Sequence, residues 1–586
     1  MIERMIPLRL PPGVYRNGTR YEAKNRWYNA SGLRWYEGIL GPIGGWRNVI
    51  SNVTSGTATA GGNSTLADTT QAWPVNAWAG RTISLISGTG SPATKTVVSN
   101  TATVITISGT WAVNPAAGTV YQISGVQLQV GTVTGDDVLR LVGRPRAAYG
   151  WRANDGVSHL AIGTHSRLWL YTDGMLENIT PAGFPAFADS DGAVNGLFVG
   201  GNFGSGGFGS GYYGTGSGAL TLVPPATWTL DNFGELLVAS HTMDGRLLKA
   251  SPGGGAATAV DATAPISNRA VVVTPEHFIV ALGANGDARM VKWPDQESLT
   301  DWAITEANQA NEFELPTKGR LVTGRRARRQ TVLWTDVDVY AMTYVGGIDI
   351  YAFEQLGDNC GLVGPQACVV LGDRMFWMSY GKFFEYDGAL HPIPCDVLDE
   401  VFGQLDQSQR AKVQAIPMTL FNEVWWTYPT KGRQTYENDK YVGYNFEEKH
   451  WIMGTLARAA GIDRGVYEYP VLLDDTGFLF EHEFGSVRTG MTVFGETGPL
   501  EIGDGDQLVR IQQIVPDEKT LGDVRMTLFG ALHPTAVEKQ IGPFTASEPT
   551  PTRLTARQIR LRIEEVTATD WRVGVPRLGV IPAGKR

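Results

Sequence analysis

The stretch Tyr441 to Gly454, YVGYNFEEKHWIMG, sets two carboxylates, Glu447 and Glu448, beside Lys449 and His450. Paired acids with a nearby imidazole are the side chains that general acid–base catalysis uses. The flanks argue for something plainer. YVGYNF and WIMG are apolar, so EEKH reads as the polar turn between two strands, with its charges facing water.

A second cluster is cationic. GRRARRQ carries Arg325, Arg326, Arg328 and Arg329 on a chain of net charge −9. Guanidinium forks pair with phosphate and with carboxylate, so these arginines are candidate contacts to DNA or to an acidic partner surface. The alternative is a solvated loop ahead of the strand TVLWT, and both readings stand at this point.

Other chemistry is thinly supplied. No GxSxG elbow, HExxH helix or P-loop sequence occurs, which leaves the common nucleophile, zinc and phosphate sites unrepresented. His159, His165 and His482 lie in hairpins without partners at metal-ligand spacing, and read as strand-end residues. TDVD (Thr335 to Asp338) and LLDDTG (Leu472 to Gly477) put acids where turns need caps. A GxGxxG match, Gly209 to Gly214, sits inside the low-complexity loop Asn202 to Gly218. The following ALTLVPPATW has two prolines that oppose the helix a dinucleotide site requires. No catalytic residue, metal ligand or cofactor is expected.

The elements that must hold these residues are strands. Gly is the commonest residue, charged residues make up only 18%, and aromatics reach 10%, a balance of tight turns and large apolar side chains that favours an all-β fold. The best helical pattern is PCDVLDEVFGQLDQSQRAKV, good for roughly 12–15 residues. Seven hairpins recur, from HLAIGTHSRLWLYTDG to YPVLLDDTGFLFEHE. From the second onward their spacing is roughly 40–55 residues, the period of four-stranded propeller blades.

The expected organisation is a segment 1–53 that joins the propeller, an inserted small β-domain at 54–125, a β-propeller at 126–485, and a β-sandwich-like domain at 486–586. The insertion is rich in Thr, Ser and Gly, with Asp68, Arg81 and Lys95 its only charged residues. The C-terminal part alternates apolar and polar residues in RQIRLRIEEV and DVRMTLFG, as strands packed on one face do. The N-terminus has no apolar signal-like run. No stretch approaches the roughly 18 apolar residues of a membrane span. Cys360, Cys368 and Cys395 match no zinc spacing and read as free thiols. The acidic balance predicts no general affinity for nucleic acid.

Three segments together resemble a known family. LGDNCGLVGPQACVVLGDRMFWMSYGKFFEYDG, FNEVWWTYP followed by YVGYNFEEKHWIMGTL, and the closing ARQIRLRIEEVTATDWRVGVPRLGVIPAGKR are similar to the tail nozzle proteins of short-tailed bacteriophages. These are also called tail hub, tail tubular or packaged-DNA stabilisation proteins. The resemblance covers roughly Leu321 to Arg586 and the start PLRLPPGVYRNGTRYEAKNRWYNASGLRW. It is weak from Thr54 to Gly125.

The resemblance implies a non-catalytic virion protein, assembled in the host bacterial cytoplasm. It implies a homo-oligomer, a ring of six, below the head–tail adaptor, with tail fibres or spikes as further partners. Phage genomic DNA would be retained by the ring and conducted through it at ejection. Two other expectations are carried beside it, a receptor-binding or fibre-anchoring tail protein and a glycan-degrading propeller enzyme.

Overall fold

Strand Glu423–Pro429, EVWWTYP, carries large side chains on both faces, and all of its residues are buried. Successive side chains of a strand point to opposite sides, so a sheet built on such strands must be covered on both. A computed structural model of the protein shows how. It describes residues 3–49, 53–124 except 72, 74, 77 and 80, 141–185 except 173, 198–199, 221–222, and 225–584 except 348 and 503–506.

Among the described residues, seven four-stranded antiparallel sheets are arranged as propeller blades. Their innermost strands are Pro145–Arg152, Trp228–Phe233, Ala270–Val273, Leu321–Arg326, Cys368–Leu371, Gln414–Met418 and Ala460–Ile462. Each lies against the innermost strand of the next blade, and the last lies against the first, which closes the ring. Central strands such as Ile279–Leu282 and Thr331–Thr335 are buried throughout. Outer strands such as Asn311–Glu314 face water. Stacking in a ring buries both faces of each blade and leaves only short outer edges exposed.

The hairpins recognised in the sequence contribute the second and third strands of these blades. In blade five, Leu371 pairs with Arg374 across a two-residue turn, and Gly372 sits at φ 65°. A positive φ at the first central position suits the twist of a tight hairpin and is costly for a residue with a Cβ.

The ring is closed by a distant piece of chain. Trp46–Asn48 forms the outermost strand of blade seven, with Phe480 opposite Asn48, Glu481 opposite Arg47 and His482 opposite Trp46. This corrects the expectation for segment 1–53, of which only these three residues complete a blade. Arg4–Pro7 instead pairs with Arg577–Pro582, and Trp27–Ser31 with Phe494–Thr497. Both pairings place the N-terminus in two sheets built mainly from the C-terminal region. The inner faces of those sheets meet through Ile511, Leu554 and Val580 from one and Met526, Leu561 and Ile563 from the other. The same core runs on into blades five and six through Trp35, Trp377, Trp425 and Trp451.

Between Trp46–Asn48 and blade one, residues 53–124 make a separate seven-stranded sheet with its own core of Trp73, Trp78, Ile83, Ile105, Trp111 and Tyr121. The helix expected between Pro394 and Val413 is shorter than its pattern suggested. Leu398–Gln404 is α-helical, and Arg410–Lys412 forms a single 3-10 turn. The interruption follows Leu405, whose extended backbone (φ −54°, ψ 125°) ends the helix. Asn202 to Gly218, including the GxGxxG match, and the segment after residue 124 where the propeller was expected to begin lie outside the described residues.

Candidate functional site in the axial cavity

Each blade is a meander that starts afresh at the axis, so the seven innermost strands run the same way around it. There they surround a cavity of about 420 Å³ lined from every blade except the third. Tyr149 comes from blade one, Asp231 from blade two, and Arg325 and Arg326 from blade four. Cys368, Gln414 and Ile462 come from blades five, six and seven, and Asp463 and Arg464 follow Ile462.

Arg326 lies 3.5 Å from Asp231 and donates to Asn232 Oδ1 at 3.2 Å. Asp231 also accepts the N–H of Val273 at 2.8 Å, which anchors blade three to blade two. Tyr149 donates its hydroxyl proton to Asn232 Oδ1 at 2.6 Å. Burial, reinforced by the Asp231 charge, raises the pKa of that phenol, so it stays protonated. Arg325 donates to Pro365 O at 3.2 Å and to Gln366 Oε1.

Asp463 accepts the hydroxyl proton of Thr419 at 2.6 Å. Burial pushes its pKa above the ordinary carboxylate value, with Thr419 opposing. Cys368 is buried, and burial holds its thiol protonated despite the nearby Arg325. Among the described residues no cluster of His, Cys, Asp and Glu could hold a metal ion.

The arginine cluster is split by the fold. Sequence reading put all of it on a loop. The structure places Arg325 and Arg326 at the end of strand Leu321–Arg326, half-buried at the cavity. Only Arg328 and Arg329 occupy the hairpin turn, both exposed, with Arg328 3.8 Å from exposed Asp373.

The EEKH turn is largely as expected, with one correction. Asn445 Oδ1 accepts the N–H groups of Glu447 and Glu448 at 3.1 and 2.7 Å, and Lys449 takes the left-handed conformation that closes the turn. Glu447 is exposed and pairs with Arg374 at 3.0 Å. His450, expected to be wet, is instead 4% exposed and begins strand His450–Thr455. Trp35 lies edge-on to it at 6.1 Å, and the chain at Gly13 presses so close that a Cβ there would lie 2.7 Å from the His450 Cβ. Burial lowers its pKa, with Glu448 acting against that shift. This ring is a core group, sealed by N-terminal chain that local sequence could not place.

Three further histidines have structural roles. His159 shares a hydrogen bond with Thr172 at 2.7 Å, His165 Nδ1 accepts the N–H of Arg144 at 2.8 Å, and His482 Nε2 accepts from Arg458 at 2.8 Å. Asp474 accepts the N–H of Thr476 at 2.9 Å, the turn-capping role expected of it, whereas Asp338 accepts the hydroxyl protons of Thr335 and of distant Thr317, the latter at 2.8 Å. Sequence reading missed Tyr149, Asp231, Asp463 and Arg464. The available signal was a lone acid in or just after an apolar innermost strand, as in TLDNF and AGIDR.

No helix among the described residues is long and apolar enough to cross a membrane. No protein-family model matches the sequence, and no curated protein matches it. Solved structures with a similar arrangement include virginiamycin B lyase from Staphylococcus aureus, 11% identical over 59% of this chain and 97% of that one, with a TM-score of 0.36. The Pan2 WD40 domain of Neurospora crassa is 10% identical over 59% of this chain and 91% of that one, with a TM-score of 0.34. The Cps50 (Swd1) β-propeller domain of Myceliophteria thermophila is 9% identical over 58% and 96%, at 0.33. Likeness at this level carries nothing about activity. Among the described residues the chain contains a β-propeller of seven blades, on the strength of its own closed ring of sheets.

Proposed function

We propose that the chain is a non-catalytic structural subunit of the tail nozzle of a short-tailed bacteriophage. Six copies form a ring in the virion that retains packaged DNA and conducts it at ejection. One observation supports this reading most. The two terminal sheets share one hydrophobic core with blades four to six, and the first and last described strands are paired within one of those sheets. A channel wall under load needs a subunit that cannot open at its seams, and this one has its first and last strands hydrogen-bonded together.

The region that resembles the family, Leu321 to Arg586, forms blades four to six, most of blade seven and most of the terminal sheets. The net charge of −9 suits a wall past which DNA slides, since bound phosphates would hold it back. The exposed Arg328 and Arg329 are then local contacts, to DNA or to an acidic face of the head–tail adaptor. The separate sheet of residues 53–124 is a place for fibres or spikes to attach. Electron microscopy of the purified protein and of virions tests this. The expected result is a six-fold ring with an open bore. Monomers or trimers, or its absence from virions, would overturn it.

A further inference from the structure

We infer that the axial cavity binds a small organic monocarboxylate through Arg325. Arg325 is half-buried, and its hydrogen-bond partners are neutral, the oxygens of Pro365 and Gln366 and the protonated Cys368 thiol. Its neighbour Arg326 faces Asp231 at 3.5 Å, whereas Arg325 forms no ion pair among the described residues. A guanidinium with neutral partners, partly withdrawn from water, leaves positive charge at the cavity wall, where it acts more strongly than in solvent. Its planar fork matches a carboxylate with two parallel hydrogen bonds.

The rest of the cavity sets the class of ligand. Leu230, Ala415, Pro417 and Ile462 give it apolar walls, which favour a hydrocarbon or aromatic body. Its volume of about 420 Å³ lies within the range of roughly 300–1,000 Å³ typical of small-molecule sites. Asp231 and Asp463 offset Arg326 and Arg464, which line the same space, so the wall is left with the one positive charge of Arg325, matched by a monoanion better than by a dianion such as inorganic phosphate. The inference is independent of the nozzle reading, because the cavity lies within one subunit.

The test is calorimetric titration of the full chain with benzoate, acetate and inorganic phosphate. Benzoate should bind saturably with one site per chain, more tightly than acetate or phosphate. R325Q should weaken benzoate about tenfold or more, the size expected for a lost charge-assisted pair, while R328Q binds as the parent does. The methyl resonances of Ile462 should shift on benzoate addition, which locates the site without any variant and so covers the case in which R325Q does not fold. The inference is overturned if benzoate shows no saturable binding, if phosphate binds more tightly, if folded R325Q binds like the parent, or if Ile462 does not respond.

Discussion

Arg146 on the innermost strand of blade one and Glu437 in blade six meet in a two-pronged ion pair, with N–O distances of 2.6 and 2.7 Å, and each is 1% exposed. Lys412 adds a third contact to the same carboxylate at 3.1 Å. Burial alone would raise the pKa of Glu437, but the two cations outweigh it and hold the group ionised. Lys412 bears the opposite consequence. Burial and the Arg146 charge bring its pKa down to about 8, because one carboxylate is shared between two cations. Glu437→Gln should therefore destabilise the protein by about 3–5 kcal/mol, the usual result of leaving a buried charge unpaired. Chemical denaturation measures it, and a parent-like midpoint would refute the bridging role.

Lys412 makes a separate prediction in alkali. In the folded chain it releases its proton near pH 8, while the unfolded chain keeps it until about 10.4. Between those values the unfolded state binds more protons, so this residue makes stability rise with pH. Lys412→Met should flatten that part of the profile. An unchanged rise between pH 8 and 10 in the variant would count against it.

In acid the opposite limb depends on His241. Its ring sits 4.7 Å from the Trp228 ring and 4.9 Å from Phe184, and burial, helped by His165 and Arg146, lowers its pKa to about 3. The unfolded state takes up a proton near pH 6.5 and the folded state does not. Stability is thus full above that value and is lost as pH falls toward 3. Melting temperatures of the parent should drop from pH 6.5 to 5, and those of His241→Gln should drop less.

The EEKH turn separates two neighbours. Glu447→Gln loses only an exposed pair and should change stability by no more than about 0.5 kcal/mol. His450→Ala empties a site sealed by Trp35 and the Gly13 backbone, and should cost about 2 kcal/mol or more. Equal melting temperatures for the two variants would contradict the burial of His450.

Arg328 and Arg329 are the exposed arginines of the cluster. If they contact phosphates, the double change to serine should reduce the salt slope of DNA binding by about 0.9 per arginine. If they meet the adaptor, the same variant should fail to dock while its DNA binding is unchanged. Assembly, DNA retention and ejection that all match the parent would leave the turn as solvated surface.

Much of this protein follows from local pattern. Alternation of large apolar residues with polar turns defines a hairpin within some fifteen residues, so the repeated blades were legible, as was the burial demanded by adjacent Trp425 and Trp426, both 0% exposed. The helix was visible too, but not where its backbone would turn away. What only the tertiary structure decided is long-range pairing. WRN at Trp46–Asn48 has no strand signature of its own and becomes one because blade seven offers an open edge. His450 is dry because residues more than four hundred positions earlier cover it. The axial cavity gathers Tyr149, Asp231, Arg325 and Asp463 from separate blades. Their meeting depends on how many blades close the ring, and no stretch of sequence encodes that number locally.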